Sequence, residues 1–379
     1  MSYSTAFKKL LLLAIIACVG FVAGCGKVEP DPEDPQEPEK PGGAYKTAFR
    51  FSEPKKVFGF ASGAQYSYCP SIIDNGDGTC HIWFCGNPNN YRFVDNVFHV
   101  LAQDGVSYTA ATSVLQPTSG TWDSYHCCDP SVIKGEFKMN GKTYTYAMFY
   151  LGIDTPDCLG NEVGVAFSND PNATKWDKYP HALIDFPGEE HSKFWGVGQP
   201  SAFSLDKKGK VLLTYTRGYS GGTSILFREI DLSDMSDIKM GEIKTVPRAQ
   251  GVACMRNADF AVDVENNKII VVIEGAASET YPTFIASSVS VHVADYDAFL
   301  TASCQWKTLG TIGSNLSGFP RNHNAGIRRD AYGYIPNYKE FSVFFTVSKA
   351  APEVSSANCA EWTYNIYTTT GSYVKVPVN

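Results

Sequence analysis

The sequence predicts an all-β fold, a five-bladed β-propeller, and three observations predict it. A short signature recurs five times, with its Pro or Ala at positions 70, 130, 200, 258 and 325, so that five units fill the chain from residue 45 onward. Each signature is followed by an apolar strand, a polar turn and a second strand, which is a hairpin pattern. No stretch shows a sustained helical period with caps, which argues against alternating helices and strands.

The first 25 residues resemble the signal of bacterial lipoproteins. Lys8 and Lys9 precede an apolar run, and small residues lead directly to Cys25. Residues 26–44 then carry five Pro and six acidic residues, a composition that stays extended. The resemblance implies a signal peptide over 1–24, lipidation of Cys25, a tether over 25–44 and a domain over 45–379. We expect an exported protein anchored to the bacterial cell envelope, with the outer membrane as its place. A plain secretory peptide with a chance cysteine is the alternative.

The five units follow the tether in order, each opened by its signature. The signatures are Tyr68-Cys69-Pro70-Ser71-Ile72, Cys128-Asp129-Pro130-Ser131-Val132, Gly198-Gln199-Pro200-Ser201-Ala202, Arg256-Asn257-Ala258-Asp259-Phe260 and His323-Asn324-Ala325-Gly326-Ile327. Turns such as Asn140-Gly141 separate the paired strands of a unit. We expect the strand at 45–51 to pair with 364–376, because an open ring would leave two exposed edges. A β-sandwich is the competing fold, but it gives no reason for the recurring signature.

Charge and cysteine content exclude several classes of function. The chain has 379 residues, a net charge of -7 and no cluster of Lys and Arg, so nucleic acid is not an expected partner. The sequence contains no run of 18 or more apolar residues, so no membrane-spanning helix is predicted. Nine cysteines follow Cys25, and none has zinc-like spacing, so we expect free or incidentally paired thiols and no metal. No cofactor is predicted, although a calcium ion at the axis stays open, and we expect a monomer.

In a propeller the innermost strand of each blade starts near the axis, so the residues before each Pro or Ala should converge. These residues are Cys69, Asp129, Gln199, Asn257 and Asn324. Polar groups that converge on a cavity mark a ligand site more often than a structural ring. Trp195 lies just before the third signature and suits stacking on a sugar ring, with blade packing as the alternative.

One part of the chain resembles a known family of enzymes. The segments Cys128-Asp129-Pro130-Ser131-Val132-Ile133 and Met148-Phe149-Tyr150, with residues 164–178, look like one blade of the five-bladed glycoside hydrolases, the family 43 arabinofuranosidases and xylosidases and their relatives. The similarity is clearest over residues 125–217. It implies a pair of carboxylates that flank a glycosidic bond, one donating a proton and one activating water. The sequence departs from that pattern at Cys69, where those hydrolases place the base, and at Gln199 in the third unit.

A set of site residues follows from position in the repeat. Asp129 matches the motif aspartate and is assigned as base, Glu274 as general acid and Asp259 as tuner or substrate anchor. The alternative for each is a carboxylate satisfied by Arg256, Arg328 or backbone N–H groups. The substrate-binding candidates are His126, Glu190, Trp195, Gln199, Arg256, Asn257, His323, Asn324 and Arg328. For the histidines, a core or loop position is the alternative.

The sequence therefore favours a surface-tethered glycoside hydrolase that cleaves furanoside or xyloside bonds in a polysaccharide or oligosaccharide. A non-catalytic glycan-binding lipoprotein is the alternative, and Cys69 in place of the expected Asp would explain it. A structural or protein-binding propeller is disfavoured by the polar ring. The segment Gly218-Tyr219-Ser220-Gly221-Gly222 fits the G-x-S-x-G motif of hydrolases, but strands on both sides predict a hairpin turn.

Overall fold

The fold is described from a computed structural model in eleven stretches of the chain. They are 44–58, 66–88, 94–104, 106–107, 109–157, 159–186, 191, 193–220, 222–275, 285–348 and 364–378. Lys46–Val376 form one compact unit. The described residues outside it are 44, 45, 377 and 378, and the Val378 N–H donates to the Ala44 carbonyl at 2.7 Å. The predicted signal peptide, the lipidated Cys25 and the tether up to residue 43 lie outside the described residues.

The described residues form 23 strands and two short helices, so the predicted all-β class is confirmed. Before and within the first repeat unit the strands are β1 (Tyr45–Phe51), β2 (Lys55–Phe58), β3 (Ser67–Asp74), β4 (Thr79–Gly86), β5 (Asn96–Gln103), β6 (Val106–Ser107) and β7 (Thr112–Leu115). The second unit contains β8 (His126–Met139), β9 (Lys142–Ile153), β10 (Glu162–Ser168) and β11 (Asp177–Lys178). The third contains β12 (Gly196–Ser204), β13 (Lys210–Tyr219), β14 (Gly222–Asp231), β15 (Lys239–Met240) and β16 (Lys244–Thr245). The fourth contains β17 (Asp259–Asp263), β18 (Lys268–Gly275), β19 (Ser288–Asp295), α1 (Tyr296–Leu300), β20 (Lys307–Ile312) and α2 (Ser314–Ser317). The fifth contains β21 (Arg321–Arg329), β22 (Glu340–Ser348) and β23 (Asn365–Pro377).

Hydrogen bonding divides these strands into four sheets. Units two, three and four each form their own sheet, in the orders β11-β10-β9-β8, β12-β13-β14-β15 and β17-β18-β19-β20, with β16 on β14. Units one and five share a ten-stranded sheet in the order β1-β23-β22-β21-β3-β4-β5-β6, with β2 on β23 and β7 on β5. A short parallel contact of β21 with β3 joins the two units in that sheet. The predicted pairing of the first strand with the last is confirmed, because β1 lies beside β23.

Local turn chemistry gives the hairpins that the sequence predicts. Asn140 and Gly141 both have positive φ, 51° and 77°, as the two-residue turn between β8 and β9 requires. Tyr219 pairs with Gly222 across the end of β13 and β14, so the G-x-S-x-G segment is a hairpin and not a hydrolase elbow. Among the described residues, no helix has the length and apolar character needed to cross a membrane.

The apolar core lies between successive units. Five large clusters of buried side chains join units one and two, two and three, three and four, four and five, and five and one. In the last of these, Ile72 and Phe84 of unit one pack in the same cluster as Phe344 and Ile366 of unit five. Each sheet is thus covered on both faces by apolar side chains, which explains why its strands read as long apolar runs.

One side chain of each of the first four signatures forms a hydrogen bond with the next unit. The residue two positions after the signature residue accepts a hydrogen bond from a backbone N–H of the following unit. These bonds join Val132 N to Ser71 Oγ at 3.1 Å, Ala202 N to Ser131 Oγ at 3.0 Å, Phe260 N to Ser201 Oγ at 3.1 Å and Ile327 N to Asp259 Oδ2 at 2.8 Å. The recurring Ser has a structural cause, because a short oxygen acceptor satisfies a backbone donor that has no partner in its own sheet.

Candidate active site

The five signature residues share one unusual backbone conformation. Their φ angles are 52° at Cys69, 48° at Asp129, 51° at Gln199, 48° at Asn257 and 38° at Asn324. Non-glycine residues rarely adopt positive φ, and such residues concentrate at functional sites. The strand pairing skips these positions in units one, two, three and five, which marks a β-bulge in each. In a regular strand, successive side chains point to opposite faces of the sheet. The bulge at the signature position changes the direction of one side chain in each of these units.

These side chains meet at a small cavity. It is lined by Cys69, Pro70, Ser71, Pro130, Gln199, Pro200, Asn257, Ala258, Asp259, Asn324 and Ala325, and its volume is about 20 Å³. That volume holds one or two water molecules. The structure thus brings together four of the five signature residues, and the fifth contributes its neighbour Pro130. A substrate of sugar size would contact the mouth of this cavity rather than its interior.

Asp129 is buried against three sulfur atoms. Its carboxylate is hydrogen-bonded to the Cys69 thiol, and its Oδ1 lies 3.3 Å from Cys128 Sγ and 3.7 Å from Cys85 Sγ. Burial, with the charges of Asp95 and Glu274 and against the hydrogen bond from Cys69, raises the pKa of Asp129 to about 7. A carboxyl group with a pKa near neutrality can both accept and donate a proton at neutral pH.

Cys85 and Cys128 form a disulfide beside this carboxylate. The sequence predicted free or incidentally paired thiols, and this bond joins the first two units at the site. Among the described cysteines, Cys69, Cys80, Cys127 and Cys304 are free thiols. Burial, together with the nearby Asp129 charge, raises the pKa of the Cys69 thiol well above its usual range.

Asp95 anchors a second polar group on the Cys128 side of the site. Its carboxylate accepts hydrogen bonds from the Tyr66 hydroxyl at 2.5 Å and the Tyr68 hydroxyl at 2.7 Å. His126 Nδ1 accepts the Asp95 backbone N–H at 3.2 Å, and burial lowers the pKa of this histidine. The sequence identified His126 but missed Asp95, because Asp95 precedes β5 in a segment that carries no repeated signature.

Glu274 lies at the end of β18 with both oxygens engaged. Asn257 Nδ2 donates to Oε1 at 2.6 Å, Arg256 Nε donates to Oε2 at 3.2 Å, and the Asn324 N–H donates to Oε1 at 3.4 Å. Burial raises the pKa of Glu274, and the Arg256 cation opposes the shift. The predicted acid is therefore next to two signature residues, in an ion pair that the sequence considered as its alternative role.

Asp259 lines the cavity but is held by its neighbours. Its Oδ1 accepts the Ser201 hydroxyl at 2.6 Å and lies 3.4 Å from the Arg329 guanidinium, and its Oδ2 accepts the Ile327 N–H. Arg329 also donates to Ser131 Oγ at 3.2 Å and to the Phe260 carbonyl. Asp259 thus resembles a structural anchor more than a group that is open to substrate.

The remaining signature neighbours form short contacts at the same place. His323 Nδ1 and Asn324 Oδ1 are 2.6 Å apart, and burial lowers the pKa of His323 to about 4, so its ring is neutral near neutral pH. His323 Nε2 is buried without a hydrogen-bond partner among the described residues. Gln199 Oε1 accepts the Asn257 N–H at 2.9 Å, which joins the third and fourth signatures.

Two predicted substrate contacts lie elsewhere, and one lies outside the described residues. Arg328 donates to Asp74 Oδ1 at 2.9 Å, at the end of β3 away from Cys69, and it is not among the residues that line the cavity; its binding role stays a prediction. Trp195 is half-buried and packs where Gly198 and Gly218 leave room for its side chain, which favours the packing role. Glu190 lies outside the described residues.

The described residues that line the cavity offer a calcium ion one carboxylate, that of Asp259. Calcium takes six to eight oxygen ligands. Asp259 is the carboxylate among the described lining residues, and its oxygens already have partners, one of them a cation. Two groups of closely spaced side chains, Cys69 with Cys85 and Asp129, and Asp95 with His126 and Cys128, each include a disulfide sulfur, which is not a thiolate ligand.

No protein-family model and no curated protein matches this sequence. Solved structures do. The catalytic domain of a GH62 alpha-L-arabinofuranosidase from Coprinopsis cinerea is similar with a TM-score of 0.57 and 11% identity, over 86% of this chain and 97% of that chain. The chain shares its fold. An alpha-L-arabinofuranosidase from Podospora anserina in complex with cellotriose is similar with a TM-score of 0.58 and 11% identity, over 87% of this chain and 98% of that chain. A GH43 endo-arabinanase from Bacillus licheniformis is similar with a TM-score of 0.50 and 13% identity, over 82% of this chain and 96% of that chain.

Proposed function

We propose that the protein is a glycoside hydrolase that cleaves furanoside or xyloside bonds in a polysaccharide or oligosaccharide. The observation that carries the proposal is Asp129, a buried carboxyl group beside the axial cavity whose pKa is raised to about 7. A second carboxylate, Glu274, is close enough for its charge to raise that pKa. Two acidic groups around a cavity are what acid and base catalysis of glycoside cleavage requires. The shared fold with the arabinofuranosidases is consistent with this proposal.

The proposed architecture is a closed five-bladed propeller. Five apolar clusters, one for each pair of successive units, support the count of blades. The contact of β21 with β3, which pairs Arg328 with Ile72, supports closure between the fifth unit and the first. A ring of five blades removes the exposed sheet edges that an open arrangement would leave.

In the proposed reaction Asp129 is the base and Glu274 the acid. Asp129 must lose its proton before it can activate water, so hydrolysis should increase with pH through about 7. Glu274 must become free of Arg256 on one oxygen to donate a proton, because both oxygens are engaged in the free protein. His126, His323 and Asn324 would contact sugar hydroxyl groups.

The experiment is release of reducing sugar from arabinan, xylan and pectin-derived oligosaccharides by residues 26–379. Asp129→Asn should abolish release, because the amide cannot accept a proton. Asp237→Asn is the matched control, since Asp237 is exposed and pairs with Lys239 on the surface. Release that survives in Asp129→Asn would place the catalytic base elsewhere.

The second candidate is a non-catalytic glycan-binding propeller, and two observations favour it. A cysteine occupies the signature position of the first unit and a glutamine that of the third, so two of the acids expected from the resemblance are missing. The ion pair with Arg256 also reduces the availability of Glu274. Sugar binding by calorimetry without any release of reducing sugar would select this function.

We propose further that the protein is a monomeric lipoprotein, tethered to the cell envelope through Cys25. Its resemblance to a lipoprotein signal supports this, and carbohydrate is then the partner within reach of the tethered domain. Metabolic labelling with a fatty acid tests it. Label on the full chain that disappears in Cys25→Ala supports the tether, and equal label in both contradicts it.

A further inference from the structure

Three sulfur atoms surround one carboxylate at the site, and the proposed hydrolysis does not use them. Cys69 Sγ, Cys85 Sγ and a carboxylate oxygen of Asp129 all lie within 4.8 Å of one another. Cys85 is bonded to Cys128, whereas Cys69 is a free, partly exposed thiol that lines the cavity. A free thiol next to a disulfide is the arrangement from which thiol–disulfide exchange begins.

We propose that Cys69, Cys85 and Cys128 form a thiol–disulfide exchange site, in which Asp129 carries the proton. Asp129 takes the proton from the Cys69 thiol, and the Cys69 thiolate attacks Cys85 Sγ. A bond forms between Cys69 and Cys85, and the bond between Cys85 and Cys128 breaks. Cys128 leaves with the electron pair and receives the proton from Asp129. The step exchanges one disulfide for another and needs no external oxidant or reductant.

The contacts of Asp129 fit each part of this step. Its carboxylate is hydrogen-bonded to the Cys69 thiol and lies 3.3 Å from Cys128 Sγ, so one group faces both the attacking and the leaving sulfur. Its backbone N–H points at Cys85 Sγ, 2.8 Å away, which holds the sulfur that is attacked. With its pKa raised to about 7, this carboxyl group can accept the proton and return it at neutral pH.

The leaving sulfur, Cys128 Sγ, lies next to polar groups that can accept a hydrogen bond from its thiol. Cys128 Sγ lies 3.0 Å from the Tyr68 hydroxyl oxygen, whose own hydrogen is donated to Asp95. Once Cys128 is a thiol, its S–H can therefore donate to the Tyr68 oxygen or to Asp129. Both products keep their polar groups paired, so neither disulfide requires an orphaned buried group.

The experiment reads which of the three sulfurs is a thiol in the full chain. Protein kept at neutral pH is denatured in acid, where exchange stops, and its thiols are alkylated with N-ethylmaleimide before peptide mapping. We expect label on both Cys69 and Cys128, together with a Cys69–Cys85 bond, each assigned to single residues by fragmentation of the peptides, because the neighbouring Cys127 is itself a free thiol. Label on Cys69 but none on Cys128, with Cys85–Cys128 as the linked pair in every sample, would overturn the proposal.

Matched variants separate exchange from random oxidation. Cys69→Ser should lose all label from Cys128, because the attacking thiol is gone. Cys80→Ser removes another free, buried thiol on β4 and should leave the label on Cys69 and Cys128 unchanged. Persistence of Cys128 label in Cys69→Ser would contradict the proposal even if the protein hydrolyses no sugar.

Discussion

Replacement of Arg329 by Met tests how the units are held together at the axis. The Arg329 side chain is 1% exposed and its partner Asp259 is 13% exposed. Its guanidinium donates to Ser131 of the second unit and to the Phe260 carbonyl of the fourth. Met keeps most of the apolar stem but removes every donor, so Asp259 would remain as a charge without its cation.

The magnitude follows from burial. Removing one partner of a buried ion pair costs about 3–5 kcal/mol, because an uncompensated charge remains. The neighbouring Arg328 pairs with Asp74, and these side chains are 20% and 34% exposed. A pair so accessible to solvent contributes about 0–1 kcal/mol. Arg329→Met should therefore lower the free energy of unfolding by about 3 kcal/mol more than Arg328→Met, its matched control on the same strand.

Urea denaturation followed by tryptophan fluorescence measures this difference through the midpoint and slope of each transition. The double variant Asp259→Asn with Arg329→Met should regain part of the loss, since it leaves no unpaired charge. Equal midpoints for Arg329→Met and Arg328→Met would refute the argument that the axis is held by this buried pair.

Three further predictions concern the site and the repeat. Asp129 stays protonated to about pH 7 in the folded protein but ionises near pH 4 in the unfolded chain, so the free energy of unfolding should fall as pH rises between these values. Asp129→Asn should remove up to roughly 4 kcal/mol of this fall, as measured by the free energy of unfolding at a series of pH values. Gly326→Ala would place a Cβ 2.1 Å from the Pro70 carbonyl and should cost about 1–3 kcal/mol, whereas Gly313→Ala meets its nearest atom at 3.6 Å and should melt like the parent. Ser201→Ala leaves the buried Phe260 N–H without its acceptor and should cost about 1–3 kcal/mol in the same assay; an unchanged midpoint would mean that water replaces the hydroxyl.

The repeat made much of the fold predictable from sequence. The Ser two positions after the signature residue recurs in the sequence of the first three units. It recurs because each copy accepts a hydrogen bond from a backbone N–H of the next unit, as Ser71 does from Val132. The hairpin turns were equally visible, since Asn140 and Gly141 are residues that adopt positive φ at little cost. Local rules of this kind act within a few residues and can be read from one chain.

From the sequence, Arg328 was considered and the buried Arg329 was missed. Side chains alternate between the two faces of a strand, and a bulge at Asn324 shifts that alternation by one position. The signature marks this position in the sequence, but only the structure shows that the signature position is a bulge and that Arg329 is the arginine beside Asp259.

The disulfide and Asp95 were missed for a different reason. Cys85 and Cys128 are 43 residues apart, and their approach depends on how the first two units pack. Asp95 reaches Tyr66 and Tyr68 only after β3 and β5 have taken their places in the sheet. Contacts between units are set by three-dimensional packing, which no spacing along one chain reveals.

The left-handed backbone at the five signature positions has a consequence for how such a protein changes over time. Cys, Asp, Gln and Asn occupy equivalent places there, on nearly the same φ angle. Most of the hydrogen bonds that join the units involve the residue two positions later, so a change of side chain at a signature position leaves those bonds in place. Side chains of different chemistry, a thiol, a carboxyl group or an amide, can therefore occupy these five positions on one shared backbone conformation.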